Sequence, residues 1–119
     1  MCNLLIVDDQ EGIRLLLREV FKEDGYNTFL AASGPEALAI VEDHQPDCVL
    51  LDLRMPGMDG VMILEKLRES FPVLPIIMMT AYGELETIEK TKRLGVVAHF
   101  TKPFNIFEIR AAVNKILLG

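Results

Sequence analysis

Five polar side chains have the types and spacing needed to bind a metal ion and a phosphoryl group. They are the carboxylates Asp8, Asp9 and Asp52, the hydroxyl of Thr80 and the ammonium of Lys102. In one pocket the carboxylates would repel each other, by about 3 kcal/mol for a pair ~5 Å apart at an effective dielectric of about 20. A divalent cation offsets that repulsion, and an all-oxygen site selects Mg²⁺, with Mn²⁺ as a substitute, over zinc.

Asp52 has the chemistry of a phosphoacceptor, because carboxylates form aspartyl-phosphates by nucleophilic attack. Beside a bound metal ion, the ammonium of Lys102 would neutralise phosphoryl oxygens and the hydroxyl of Thr80 would hydrogen-bond to them. The candidate metal ligands are therefore Asp8, Asp9 and Asp52, and the candidate catalytic residues are Asp52, Thr80 and Lys102.

Hydrophobic periodicity predicts the elements that must bring these residues together. Short apolar runs predict five strands, at 4–7, 26–31, 48–51, 75–79 and 97–101. Apolar residues at helical spacing predict five helices, over 11–24, up to about 44, after 60, over 84–94 and from 105 onward. A capping box of Ser33 and Glu36 opens the second helix, and Asn105 opens the last one.

This alternation predicts an α/β fold, a (βα)5 doubly wound five-stranded parallel sheet with helices on both faces. In the flavodoxin-like order 2-1-3-4-5, the strand order reverses between strands 1 and 3, and such folds bind ligands at that point. The carboxyl ends of the strands would then gather the five candidate residues at one edge. Met62, Met78 and Met79 are expected to fill the core.

Composition and charge exclude several function classes. Of the 119 residues, 50% are apolar, which is too many for a disordered chain and suits a single domain over 1–119. The 12 Lys and Arg against 18 Asp and Glu give a net charge of −6, which argues against direct binding to nucleic acid. No apolar run approaches the roughly 20 residues of a membrane span, and no signal peptide is visible. Because Cys2 and Cys48 form no C-x-x-C motif, a reduced, cytoplasmic protein is expected.

Four short motifs contain the candidate site residues. They are the acid pair Asp8-Asp9, Asp52 before the breaker-rich run 55–60, Thr80-Ala81 and Lys102-Pro103-Phe104. Together they make essentially the whole chain resemble the receiver domain of two-component response regulators. The resemblance implies that Asp52 is the phosphoacceptor and that Asp8 and Asp9 organise Mg²⁺, with the backbone carbonyl of Arg54 as a further ligand. It also implies a cis peptide bond between Lys102 and Pro103.

Additional motifs narrow the resemblance within the family. They are Asp8-Asp9-Gln10, Gly12-Ile13-Arg14, the run 80–85, His99-Phe100 and Lys102-Pro103-Phe104. These look like the stand-alone receivers of bacterial sporulation phosphorelays. That resemblance implies a sensor histidine kinase as phosphoryl donor, a histidine phosphotransferase as acceptor, and an aspartyl-phosphate phosphatase as a further partner. The protein is expected to be a monomer. His99 stands where many receivers carry a Tyr or Phe switch, so an aromatic switch is not expected here.

The first predicted helix carries a wide apolar arc, formed by Ile13, Leu15, Leu16 and Leu17. One buried face does not need all of it, so part is expected to stay exposed. Exposed apolar surface beside a reactive site favours protein docking. The predicted partner surface comprises Gln10, Gly12, Ile13, Leu16, Tyr82, His99, Pro103 and Phe104.

Three alternatives stay open. A Mg-dependent phosphohydrolase of the haloacid-dehalogenase type also uses Asp, Thr and Lys at strand ends, but it needs a second acid two residues after the nucleophile, where this chain has Arg54. A phosphorylation-independent interaction domain would have lost one of the acids or the lysine. The third alternative is the receiver half of a longer response regulator that controls transcription.

Overall fold

The computed structural model describes residues 2–53, 60–80 and 85–119, in which five strands alternate with five helices. The strands are β1 (Asn3–Val7), β2 (Asn27–Ala31), β3 (Cys48–Asp52), β4 (Ile76–Thr80) and β5 (Ala98–Thr101). The helices are α1 (Glu11–Glu23), α2 (Gly34–His44), α3 (Gly60–Ser70), α4 (Leu85–Arg93) and α5 (Ile106–Leu118). None of these helices has both the length and the apolar character that crossing a membrane requires.

The strands form one parallel sheet in the order β2-β1-β3-β4-β5, which confirms the predicted fold. The order in which strands are added to the sheet reverses between β1 and β3. These two strands are parallel neighbours, and Val7 pairs with Leu51. Because all five strands are parallel, their carboxyl ends meet at one edge. Side chains that end or follow β1, β3, β4 and β5 are therefore neighbours, although they are distant in the sequence.

Two apolar cores cover the two faces of the sheet. Alternate residues of β1 point to opposite faces, so Leu5 and Val7 join one core while Leu4 and Ile6 join the other. Helices α2 and α3 close the first core, and α1 and α5 close the second through Leu17, Phe21, Ile109 and Val113. Burial on both faces explains why the central strands are continuously apolar rather than alternating.

The helix starts follow the capping signals of the sequence. The Ser33 hydroxyl accepts a hydrogen bond from the Glu36 N–H (3.3 Å), and the Glu36 carboxylate accepts one from the N–H of Ala32 (2.7 Å). This confirms the capping box, with its return bond displaced by one residue. At the start of α5, the side chain of Asn105 accepts hydrogen bonds from two N–H groups of the first turn, that of Phe107 at 2.8 Å.

At their carboxyl ends, two strands extend one residue further than predicted. The ladder of the sheet continues past the apolar runs, since Asp52 pairs with Met79 and Thr80 pairs with Thr101. Asp52 and Thr80 are therefore held by the sheet rather than by loops. The prediction for Met62 is wrong, because this side chain is 49% exposed on α3, whose buried face is formed by other residues of the helix.

Candidate functional site

The candidate residues gather at the carboxyl edge of the sheet, as predicted. Asp8 and Asp9 follow β1, Asp52 ends β3, Thr80 ends β4 and Lys102 follows β5. One carboxylate oxygen from each of the three aspartates lies within 4.8 Å of the others. Two of these aspartates, Asp8 and Asp52, are buried, whereas Asp9 is exposed, so the cluster is accessible from the side of Asp9.

Asp8 is held at four points. Its Oδ1 accepts a hydrogen bond from the N–H of Gln10 (2.9 Å), and its Oδ2 accepts one from Nζ of Lys102 (2.8 Å). The backbone N–H of Asp8 donates to the carbonyl of Ala31 in β2 (3.1 Å), and Nη1 of Arg14 donates to the carbonyl of Asp8 (2.8 Å). Arg14 was not among the predicted site residues, although its position one turn into α1, five residues after Asp9, could have indicated this contact.

The ammonium of Lys102 lies between two buried carboxylates. Its Nζ is 2.8 Å from Oδ2 of Asp8 and 3.3 Å from Oδ2 of Asp52. Burial opposes the charge of Lys102, but the hydrogen bond to Asp8 and the charges of Asp52 and Asp8 outweigh it, so the pKa of Lys102 is raised. Lys102 therefore stays positively charged and offsets part of the carboxylate repulsion.

Thr80 presents a fully buried hydroxyl whose Oγ1 has no hydrogen-bond partner among the residues that the structure describes. The backbone N–H of Lys102 donates to the carbonyl of Thr80 (2.8 Å), which places Thr80 beside the charged cluster. A buried unpaired hydroxyl destabilises a fold by about 1–3 kcal/mol. Such a group next to a charged cluster is suited to hydrogen-bond to a ligand oxygen.

The backbone behind Asp52 packs closely against the first residue of α3. The N–H of Gly60 donates to the carbonyl of Leu53 (2.5 Å), and the N–H of Leu53 donates to the carbonyl of Met79 (2.9 Å). A Cβ at position 60 would lie 2.6 Å from Cα of Leu53 and 2.8 Å from the carbonyl oxygen of Asp52. Only glycine fits here, so the start of α3 holds the chain next to Asp52 in place.

The donor set fits a hard divalent cation. Three carboxylates offer only oxygen ligands, and together they exceed the single positive charge of Lys102. Hard oxygen ligands suit Mg²⁺, and Mn²⁺ as a substitute, better than zinc. Arg54, whose carbonyl was expected to be a further ligand, lies outside the described residues.

Comparison with known proteins places this site in a family. The family model described as "Response regulator receiver domain" matches residues 4–114. The chain belongs to the response regulator receiver family. The peptide bond between Lys102 and Pro103 of this receiver is cis, as the resemblance implied.

Relatives of this receiver differ in length. Sporulation initiation phosphotransferase F of Bacillus subtilis (strain 168) is 55% identical over 115 residues, which are 97% of this chain and 93% of that protein. Regulatory protein AtoC of Escherichia coli (strain K12) is 40% identical over 97% of this chain but 25% of its own length. The solved CheY-like receiver from Methanospirillum hungatei JF-1 has a TM-score of 0.92 at 30% identity, covering 97% of this chain and 92% of that chain. These similarities confirm the receiver fold and the resemblance to sporulation receivers.

The described residues of the predicted partner surface differ in how far they are exposed. Part of the apolar arc on α1 is exposed, as expected, with Leu16 at 51%. The exposed members are Gln10, Gly12, Leu16 and Pro103, while Ile13 and Phe104 are half-buried and pack on the core under α1 and α5. Tyr82 lies outside the described residues. The role of these residues in docking stays a prediction.

His99 of β5 forms a side-chain hydrogen bond with Thr91 of α4. The hydroxyl of Thr91 donates to the carbonyl of Ile88 (2.8 Å), so its oxygen accepts the hydrogen bond from Nε2 of His99 (2.7 Å). Burial, and then the charge of Lys92, lower the pKa of His99 below its ordinary value of 6.5. His99 is half-buried and engaged within the fold, and its predicted contact with a partner stays untested.

Proposed function

We propose that this receiver is an intermediate of a phosphorelay of the sporulation type. It accepts a phosphoryl group on Asp52 from the phosphohistidine of a sensor histidine kinase and passes it to a histidine phosphotransferase. The observation that carries the proposal is the convergence of three carboxylates, the Lys102 ammonium and the buried Thr80 hydroxyl, which has no partner among the described residues, at one edge of the sheet. The 55% identity to a protein named sporulation initiation phosphotransferase F supports the relay.

Asp52 is the nucleophile in this proposal. One of its carboxylate oxygens forms the new P–O bond as the P–N bond of the donor breaks, and the electron pair of that bond returns to the imidazole nitrogen. Lys102 holds positive charge within 3.3 Å of Asp52, where the phosphoryl oxygens arrive. The hydroxyl of Thr80 donates a hydrogen bond to one of these oxygens. Transfer onward is the reverse reaction, in which an imidazole nitrogen attacks phosphorus and the carboxylate of Asp52 leaves.

Asp8, Asp9 and Asp52 would hold Mg²⁺, with Mn²⁺ as a substitute, and the receiver resemblance adds the carbonyl of Arg54. When bound, the ion supplies positive charge that offsets both the carboxylate repulsion and the charge of the phosphoryl group. The fold contributes by fixing the ligands: the N–H of Gln10 holds one oxygen of Asp8 at 2.9 Å.

Labelling with acetyl phosphate and Mg²⁺ tests the phosphoacceptor. We expect a single acid-stable, base-labile phosphoryl group on Asp52, and none on the Asp52→Asn variant. Asp47→Asn is the matched control, because Asp47 is exposed and its carboxylate binds the N–H of Asn3 (2.7 Å) outside the site. Chelation of Mg²⁺ with EDTA should stop the labelling. Undiminished labelling of Asp52→Asn would refute the assignment.

Onward transfer tests the relay. The phosphorylated receiver is freed of acetyl phosphate and mixed with a sporulation histidine phosphotransferase of Bacillus subtilis. The phosphoryl group should leave Asp52 and appear on the phosphotransferase as an acid-labile phosphohistidine. If Asp52 keeps its phosphoryl group in the presence of this partner, the receiver is not a relay intermediate.

The proposal extends to partners and location. It includes an aspartyl-phosphate phosphatase as a further partner, a monomeric state and a cytoplasmic location, with no direct contact to nucleic acid or membrane. The net charge of −6 supports the absence of direct contact with nucleic acid, because phosphate contacts require an excess of Lys and Arg.

A second candidate is the receiver part of a longer regulator that controls transcription. The 40% identity to AtoC, which the chain covers over 25% of its length, supports this candidate. The complete gene decides between the two, because a fused output domain would favour the regulator and a stop codon directly after the receiver would favour the relay. The family match argues against the phosphohydrolase.

A further inference from the structure

The first turns of α1 and α5 both lie beside the acceptor site. Helix α1 begins two residues after the acid pair, and α5 begins four residues after Lys102. Helix α5 exposes a large apolar side chain in its first turn, Phe107 at 72%, and α1 exposes one in its second turn, Leu16 at 51%. The sequence analysis placed Leu16 in the partner surface but did not include Phe107.

Helical periodicity places Phe107 on the flank of α5 that faces α1. Arg110 and Asn114 follow Phe107 by three and seven residues, so the three side chains share one flank of the helix. Arg110 donates hydrogen bonds to both carboxylate oxygens of Asp24, the residue that caps the end of α1, with 2.8 Å between Nε and Oδ2. Asn114 donates to the same carboxylate at 3.4 Å.

The Arg110–Asp24 pair restrains the rotation of α5 relative to α1, in addition to the buried packing of Ile109 and Val113 against that helix. A bidentate guanidinium–carboxylate pair sets an angle as well as a distance. The side chain of Asp24 is only 13% exposed, and the hydroxyl of Tyr26 donates to Asn114 next to it. The hydrogen bond from Arg110 lowers the pKa of Asp24 despite the opposing effect of burial. Because Phe107 lies one turn before Arg110 on the same flank of α5, the hydrogen bonds of Arg110 and Asn114 to Asp24 help to set the direction in which that flank faces.

We propose that Phe107 extends the partner surface and determines specificity for the helix that carries the phosphohistidine, and that the Arg110–Asp24 pair positions it. This inference rests on the proposed function. Asp52 is 4% exposed, so a donor histidine must reach it across the edge where α1 and α5 begin. Apolar side chains on both helices, Leu16 and Phe107, match the apolar face of a partner helix, and buried aromatic anchors contribute strongly to such contacts.

Phosphotransfer from two donors tests the contact. The donors are an autophosphorylated sporulation sensor kinase of Bacillus subtilis and acetyl phosphate. Phe107→Ser should raise KM for the kinase about tenfold and leave KM for acetyl phosphate unchanged, and Phe107→Leu should restore most of the loss. Val73→Ser is the matched control, because Val73 is 90% exposed before β4, at the opposite edge of the sheet. An unchanged KM for Phe107→Ser, or an equal rise for Val73→Ser, overturns the proposal.

A double-mutant cycle tests the positioning role of Arg110. Arg110→Gln should raise KM for the kinase severalfold, but it should add little in the Phe107→Ser background, because its effect acts through Phe107. Fully additive effects would overturn the positioning role.

The wild-type protein distinguishes the two proposals. If it accepts a phosphoryl group from acetyl phosphate but not from the kinase, the docking proposal fails. If it accepts a phosphoryl group from neither donor, the proposed function itself fails.

Discussion

Replacement of Thr80 by valine should stabilise the fold and impair phosphoryl transfer. Thr and Val have nearly the same shape, so the exchange replaces a hydroxyl by a methyl group at a position with 0% exposure. The hydroxyl has no hydrogen-bond partner in the described part of the chain, so nothing there compensates its removal from water. Under the proposed function, the same hydroxyl would donate a hydrogen bond to an arriving phosphoryl oxygen.

The structure sets the size of both effects. Removing an unpaired buried hydroxyl should raise the free energy of unfolding by about 1–2 kcal/mol. In a chain of 119 residues that corresponds to an increase in Tm of about 3–10 °C. Loss of one preorganised donor to the phosphoryl group should slow labelling of Asp52 by about 100-fold.

Urea unfolding and labelling with acetyl phosphate measure the two quantities. Thr91→Val is the matched control, because Thr91 is also fully buried but its hydroxyl bonds both Ile88 and His99, so this variant should lose stability. Thr80→Ser keeps the hydroxyl and should recover most of the labelling rate. If Thr80→Val loses stability as Thr91→Val does, the Thr80 hydroxyl is paired in the unphosphorylated protein and the reasoning is wrong.

Three further predictions concern the backbone of the site, the metal ion and pH. Gly60→Ala should lower the free energy of unfolding, measured in urea, by about 1–3 kcal/mol, because the new Cβ would lie 2.6 Å from Cα of Leu53. Gly12→Ala is the control and should leave that free energy unchanged, since a Cβ at position 12 would have no atom within 4 Å; equal stabilities of the two variants would contradict the prediction. Lys102→Met should tighten Mg²⁺ binding about tenfold in calorimetry, since the ammonium 2.8 Å from Asp8 repels the ion; weaker binding would contradict it. Because the pKa of His99 is lowered in the folded protein, His99 binds a proton more readily in the unfolded chain, and the free energy of unfolding should fall as the pH drops from 6.5 through the lower folded pKa. The His99→Gln variant should lack this contribution to the pH dependence, and identical pH dependences of variant and wild type would refute the prediction.

Local patterns in the sequence were enough to predict the fold and to place the candidate site residues at one edge of the sheet. The strand and helix periodicities are local properties, and continuous apolar runs indicate strands that are buried on both faces. Once the strand order was inferred, the position of each polar residue at a strand end placed Asp8, Asp52 and Lys102 at one edge. Their side-chain types then predicted the metal and the phosphoryl group. At the carboxyl ends of the strands, only the last residue of β3 and of β4 was missed.

Which side chains of the described residues are covered and which are paired follows from tertiary packing and not from local patterns. Leu16 and Leu17 are adjacent and chemically identical, yet Leu17 is fully buried and Leu16 is half exposed, because α5 and the sheet cover one side of α1. The pair between Asp24 and Arg110 joins residues 86 positions apart, and local spacing carries no signal for it. That the Thr80 hydroxyl finds no partner among the described residues likewise depends on its surroundings. Such contacts depend on how the helices pack against the sheet, and that packing is decided by the whole chain at once.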